Sequence, residues 1–261
     1  RNILNTLSPN LVFCGNNGNN KFEIDFLRSS KLSNIKNFTI MDSWSYPLRR
    51  FQFKEKDKIF NIFPNNIGVP NKEIYKILRS KAKSSNVFIS NYPQINFNIE
   101  KYFKNSKFKR KSKTLNFLYI STPYEKQGKN HVRDGSEIIF NQKNIIKKFL
   151  NILDEFSKKY KIKINLTIRF HPLDNMKFYE IKEMNKNNQI SLINDKKIFN
   201  YESYLEKDAV FGISSMMLYE SYLCGLPSIS LQLSEIFKIK KKKNYFKNVK
   251  GIKVCNNDKD L

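Results

Sequence analysis

The stretch that decides the fold is Asp208–Leu233, DAVFGISSMMLYESYLCGLPSISLQL. It reads as strand, tight turn, helix, glycine stop, strand. DAVFGI is a short apolar run, and Ser214 and Ser215 stand where a helix would begin. MMLYESYLC carries the helix, Gly225 follows as its C′ residue, and Pro227 opposes continuation. SISLQL then alternates as a strand does. From Ala209 to Leu233 the only formal charge is Glu220. A membrane span is the rival reading, but Gly212, Gly225, Pro227 and the paired serines break the run. A buried βαβ element of a parallel sheet fits better. Its serine pair sits at a helix N-terminus, where outward N–H groups and the helix dipole favour an anion.

The rest of the chain supports the same class. Its 261 residues allow one large domain or two of ordinary size. The hydrophobic fraction of 40% is enough for real cores. Forty-eight Lys+Arg against 23 Asp+Glu give a formal charge of +25. Two readings of that charge stand: a bias toward Lys, Asn and Ile along the whole chain, or attraction to an anionic nucleotide, membrane surface or nucleic acid. The three cysteines, Cys14, Cys224 and Cys255, are far apart and form no CxxC pair, which argues against zinc and redox motifs. Cys14 and Cys224 lie in apolar runs as plain core thiols, and a reducing cytoplasm is expected. No signal peptide and no clean membrane-spanning run is visible. The chain opens on Arg1, close to a strand, and an N-terminal truncation is expected.

Strands are expected at LVFCG (11–15), NFTIMDSW (37–44), KIFNIF (58–63) and NVFIS, with helices at FEIDFLRSSKL and NKEIYKILRSKA. Asn71 is a possible cap for the second helix. Phe97–Lys113, charged and weakly periodic, reads as a linker whose basic cluster 107–113 could touch phosphates. A second strand–helix series follows. It comprises TLNFLYISTP (114–123), a long amphipathic helix over 136–160, INLTIRFHP (164–172), a helix in KFYEIKEMNKN and a short strand QISLIN. A helical turn in NYESYLEK, the central element, a basic helix and a last strand GIKVCN complete it. Alternation at this spacing predicts α/β architecture with two Rossmann-like domains, 1–106 and 107–261, the first one incomplete.

In open α/β sheets, ligands bind beyond the carboxyl ends of strands. Ser121/Thr122, His171-Pro172 and Ser214-Ser215 all fall on such ends. Each has a plain structural reading as well: strand-end polar residues, and a helix N-cap with a neighbouring serine. Arg169, two residues before His171, shares its face of the strand. Glu220, the lone charge of the central stretch, needs a partner if buried; a ribose diol would serve, and so would an Arg or Lys.

Taken together, RFHP and GISSMMLYESYLCGLPSISLQ resemble the C-terminal, donor-binding domain of GT-B glycosyltransferases. The likeness is closest to bacterial sialyltransferases and to capsule, teichoic-acid and lipopolysaccharide transferases. The resemblance implies that His171-Pro172 and Ser214-Ser215, followed by Met216, hold the donor nucleotide and its phosphate. It implies that Glu220 binds the nucleotide ribose. The sialyltransferase acidic pair before glycine, which supplies the general base, is absent from the first half. Asp42 is the expected base, with Glu23 second.

The leading expectation is therefore metal-independent transfer of a glycosyl group from a nucleotide sugar to a surface polysaccharide or lipid-linked acceptor. No cofactor beyond the nucleotide-sugar donor is expected. The protein would be cytoplasmic, with possible peripheral contact at an anionic inner membrane. A UDP-N-acetylglucosamine 2-epimerase-like enzyme is the alternative; such enzymes usually carry Ser-Gly-Gly at the central turn, where this chain has Ser214-Ser215-Met216. A nucleic-acid-binding module ranks last, because the lysines are scattered rather than interleaved with aromatics on one face.

Overall fold

The computed structural model describes residues 2–15, 21–44, 46–56, 58–103, 114–122, 142–171, 190–195, 201–233, 246, 249–257 and 260. The chain divides into two compact units, Arg1–Phe97 and Asn98–Leu261. Both are built on parallel strands, so the protein is of α/β class.

The first unit runs α1 (Asn2–Leu7), β1 (Leu11–Cys14), α2 (Lys21–Leu32), β2 (Lys36–Ile40), β3 (Gln52–Glu55), β4 (Lys58–Asn61), β5 (Asn66–Val69), α3 (Lys72–Lys81) and β6 (Asn86–Ile89). Its parallel sheet has the order β1-β2-β5-β6. Every crossover advances in the same direction, and right-handed connections then place their helices on one face. That face carries Val12 and Cys14, which cluster with Leu27 of α2. Further along it, Ile67 and Val69 are fully buried beside α3. The buried Asn37 faces α2 as well. Its amide donates to the Ser30 hydroxyl at 2.9 Å, and its backbone N–H donates to the Asn65 side chain at 3.0 Å. Asn71 caps α3 as expected, accepting from the Ile74 N–H at 2.9 Å.

Two expectations for this unit are corrected. KIFNIF is not a strand of the parallel sheet: Lys58–Asn61 pairs antiparallel with Gln52–Glu55 as a separate hairpin. The hairpin lies against α2, where Arg28 bonds Glu55 at 3.0 Å and stands over the Phe53 ring. The third parallel strand is NIGV, 66–69, too short and too glycine-marked to stand out from its neighbours. The stretch Phe97–Lys113, read as a linker, begins where the two units divide, but its start is helical, because α4 spans Pro93–Phe103. The basic cluster and the expected 106/107 boundary lie outside the described residues.

The second unit contains β7 (Thr114–Ile120), α5 (Gln142–Tyr160), β8 (Lys163–Arg169), β9 (Ile190–Asp195), β10 (Ala209–Gly212), α6 (Met216–Leu223), β11 (Ser228–Leu231) and β12 (Lys253–Cys255). Its six-stranded sheet has the order β12-β11-β10-β7-β8-β9. The chain builds outward from β7 to β9, returns to the other side of β7, and builds outward again. The two directions put α5 and α6 on opposite faces. Phe117, Tyr119, Leu166, Ile168 and Phe211 pack with Ile145, Phe149 and Leu153 of α5 in one core. On the other face, the end of β10 runs close to both β7 and α6. A Cβ on Gly212 would stand 3.0 Å from the Ile120 carbonyl oxygen and 3.4 Å from Leu218 of α6, so a side chain there would have to push its neighbours back by a few tenths of an ångström.

The alternation in SISLQL is real, but its polar half is not turned to water. Ser228, Ser230 and Gln232 are all buried. Ser228 meets Ser221 of α6 at 2.7 Å, and Ser230 donates to the Ile213 carbonyl at 2.5 Å. Gln232 in turn donates to Ser230 at 2.9 Å. The helix expected in KFYEIKEMNKN, the one in SEIFKIKKKKNYF and the start of the helix expected from 136 lie outside the described residues.

Candidate functional site

The order of the second sheet creates a topological switch point between β7 and β10. At such a point the two flanking connections leave in opposite directions and open a crevice beyond the strand ends. The residues that follow β7 are Ser121 and Thr122, and those that follow β10 are Ile213, Ser214 and Ser215. β8 neighbours β7, and its continuation brings Phe170 and His171 to the same edge.

Ser121 is buried and works as a clasp. Its N–H donates to the Arg169 carbonyl at 2.9 Å, and its hydroxyl accepts from the His171 N–H at 2.8 Å. The strand-end serine and the strand-end histidine are thus joined directly, with His171 exposed. Thr122 sits half-buried beside them. Pro172 falls outside the described residues.

The serine pair forms the turn expected of it. Ser215 is the N-cap of α6, in extended backbone conformation, and its hydroxyl accepts from the Met217 N–H at 3.2 Å. Accepting that bond does not consume the hydroxyl hydrogen. Met216 opens the helix, so the N–H groups of its first turn, the dipole and two serines share one end. The Ser230–Ile213 bond holds the turn from below. At the other end of α6, Gly225 adopts φ +83°. Its N–H bonds the Tyr222 carbonyl at 2.9 Å and the Leu226 N–H bonds the Ser221 carbonyl at 3.0 Å, a Schellman stop.

Glu220 is half-buried on α6, and among the described residues neither an Arg nor a Lys answers it. The partner is the Tyr201 hydroxyl, from the 3-10 turn Tyr201–Tyr204 just ahead of β10. Burial holds the Glu220 carboxyl above the usual carboxylate range, and the Tyr201 bond draws it part of the way back. Burial and the Glu220 charge push the Tyr201 phenol up to about 12. Cys224, one turn further along α6, is pushed up to about 12 by the same two causes. Tyr204 is fully buried and donates to the Met217 carbonyl at 3.0 Å, which ties the 3-10 turn to the first turn of α6. Desolvation raises the Tyr204 phenol well above its ordinary value; the nearby Arg169 charge opposes that rise. Arg169, predicted from strand parity, therefore stands near Tyr204.

Tyr201, Tyr204 and Asn98 escaped the sequence reading as site residues. The signal was a tyrosine-rich NYESY run immediately before the central strand, which reads only as a helical turn.

Asp42 and Glu23, the expected bases, both belong to the first unit. β2 ends at Ile40, so Asp42 lies two residues beyond the strand rather than within it, as the expected span 37–44 had it. Its carboxylate is ion-paired with Arg50 and is 70% exposed. Glu23 lies in the first turn of α2, and a Cβ on Gly15 would fall 2.5 Å from its carboxylate oxygen, so the carboxylate lies against the end of β1. Among the described residues no group of three or more His, Cys, Asp and Glu side chains is placed to hold a metal ion. Nor is any described helix long and apolar enough to cross a membrane.

No protein-family profile matches the chain, and no curated protein matches it in sequence. Its fold is shared with solved structures. One is a UDP-N-acetylglucosamine 2-epimerase from Listeria monocytogenes, at TM-score 0.62 and 11% identity, covering 99% of this chain and 66% of that one. Another is the UDP complex of MnaA from S. aureus, at 0.60 and 13%, covering 99% and 67%. A third is the Neisseria meningitidis UDP-GlcNAc 2-epimerase bound to UDP-GlcNAc, at 0.59 and 14%, covering 99% and 68%. The chain spans about two thirds of the length of these proteins. Identities this low carry the fold and not the chemistry: the chain has the α/β, parallel-sheet architecture of the GT-B-like epimerases.

Proposed function

We propose that the second unit binds a nucleotide sugar at the β7/β10 switch point, and that the protein is an enzyme acting on that sugar. The observation that carries this reading is the gathering of Ser121, His171, Ser214, Ser215 and Glu220 on adjacent strand ends and one helix. The α6 N-terminus with Ser214, Ser215 and Met216 takes the phosphates. His171, seated by Ser121 and flanked by Thr122 and Arg169, donates to the same anion. Glu220 accepts from the ribose diol.

For the reaction, 2-epimerase-type chemistry on a UDP-N-acetylglucosamine-like substrate is the reading that the shared fold favours, since epimerases crystallised with UDP and UDP-GlcNAc have this architecture. One observation favours glycosyl transfer instead. The central turn is Ser214-Ser215-Met216 rather than the glycine-rich turn usual in such epimerases. In transfer, charge develops on the leaving phosphate, where the helix N-terminus and His171 are worth most. The acceptor would be a glycan or lipid-linked glycan, and excess lysine would favour an anionic membrane surface. The base in that reading is Asp42, and Asp42→Asn lowers turnover about 100-fold with nucleotide affinity unchanged.

The test is thermal stabilisation and calorimetry with UDP, CDP and CMP, repeated on His171→Ala. Stabilisation of the wild type by one nucleotide, weakened in the variant, supports the site. Indifference to all three overturns it. Conversion of UDP-N-acetylglucosamine to its 2-epimer without an acceptor then selects the first reaction, and acceptor-dependent release of nucleotide selects the second.

A further inference from the structure

Glu220 lies on α6, about one and a half turns from the serine pair, and a carboxylate on a helix can swing through several rotamers. Four residues outside α6 restrict it. The Tyr201 hydroxyl donates to the Glu220 carboxylate and accepts from the Asn98 side-chain amide. The Tyr201 ring lies parallel to the Tyr102 ring, 6.3 Å between centroids and 6° between planes. It also meets Tyr204 edge-on at 5.9 Å, and Tyr204 is itself anchored to the Met217 carbonyl. Tyr201 is therefore held by two rings and one amide, with its hydroxyl donating to Glu220.

We propose that Tyr201 is a positioning residue: clamped by Asn98, Tyr102 and Tyr204, it turns one carboxylate oxygen of Glu220 inward and leaves the other presented to the vicinal hydroxyls of a bound ribonucleotide. The inference rests on the reading of Glu220 as the ribose acceptor. Its chemical content is specific. A single carboxylate oxygen can accept from both hydroxyls of a vicinal diol only if its orientation is fixed, because a 2′-hydroxyl and a 3′-hydroxyl offer two donors in a fixed relation. Tyr201 supplies the fixation without touching the ligand. The bond also supports the ionised form of Glu220 against the burial that opposes it, and an ionised carboxylate is the better acceptor.

The experiment compares UDP with 2′-deoxy-UDP by calorimetry on the wild type, Tyr201→Phe and Asn98→Ala. Tyr201→Phe keeps the ring and both ring contacts, so the turn folds. The wild type is expected to prefer UDP about 10-fold, the magnitude of one charge-assisted hydrogen bond. Tyr201→Phe should bring that ratio close to 1 by weakening UDP more than 2′-deoxy-UDP, which has only its 3′ contact to lose, and Asn98→Ala should give a smaller shift in the same direction. A role limited to packing would weaken both nucleotides equally, and that result overturns the inference while the nucleotide site survives. Failure of the wild type to bind UDP at all overturns the site and this inference with it. A second readout needs no nucleotide: the Glu220 carboxyl, followed by carbon NMR and assigned with Glu220→Gln, should titrate at higher pH in Tyr201→Phe than in the wild type. An unchanged midpoint means that the bond does not orient the carboxylate.

Discussion

The two sheets differ in how they are wound, and the difference explains where the candidate site lies. In the first unit the order β1-β2-β5-β6 moves one way only. The helices collect on one face, and on the other Leu11 and Phe13 remain 53% and 61% exposed. Phe13, Phe38 and Phe88 form a ladder there, with centroids 5.2 and 5.8 Å apart. In the second unit the chain reverses direction at β7, both faces are packed, and Phe117, Phe149 and Phe211 are all buried. Only this reversal opens a crevice at the strand ends. A singly wound sheet supplies strand ends but no switch point within itself.

The comparison is most directly broken by paired truncations. Phe211→Ala in the doubly packed core should lower unfolding stability by about 3–5 kcal/mol, and Phe13→Ala on the exposed face by less than about 1 kcal/mol. Urea unfolding followed by circular dichroism measures both. Equal losses would mean that the first sheet's open face is packed after all.

The turn at the candidate site should be nearly as sensitive. Ser230→Ala leaves the Ile213 carbonyl without its buried donor and should lower stability by about 1–3 kcal/mol. Ser215→Ala removes the α6 cap and should lower it by about 1 kcal/mol. Both should weaken nucleotide binding, read by the same titration.

The smallest effect sharpens the electrostatic side of the contrast. Glu220 has its folded-state value raised, so its contribution to stability is fully present below the ordinary carboxylate value and is lost as pH rises through the raised one. Glu220→Gln removes that dependence. Its stability relative to wild type should therefore rise with pH across the acid range. In the first unit, Asp42→Asn removes an exposed pair with Arg50 and should change stability by less than about 1 kcal/mol.

Much of the site was legible because its parts are local. A helix start, a glycine stop and strand ends are written within a few residues of each other, and Ser215, Gly225 and Asn71 perform the roles their neighbourhoods dictate. Ser121 and His171, fifty residues apart, were each recognised as strand-end residues, but the bond between them follows from the registry of β7 and β8. KIFNIF misled because an apolar run of that length fits a hairpin arm and a parallel strand equally. The partner of Glu220 was hidden for a related reason: a tyrosine and an asparagine have no periodicity that marks them as ligands of a carboxylate.

By itself the sequence determined the class of the protein, the existence of the Asp208–Leu233 element and the anion-favouring end of its helix, because these depend on side-chain periodicity and backbone capping within one short segment. Tertiary structure alone decided the strand order, and with it which strand ends become neighbours, which sheet is packed on both faces and which hydroxyl meets Glu220. Those are contacts between residues far apart along the chain, and they are fixed by the hand of each crossover and the space left by its neighbours, not by any local pattern.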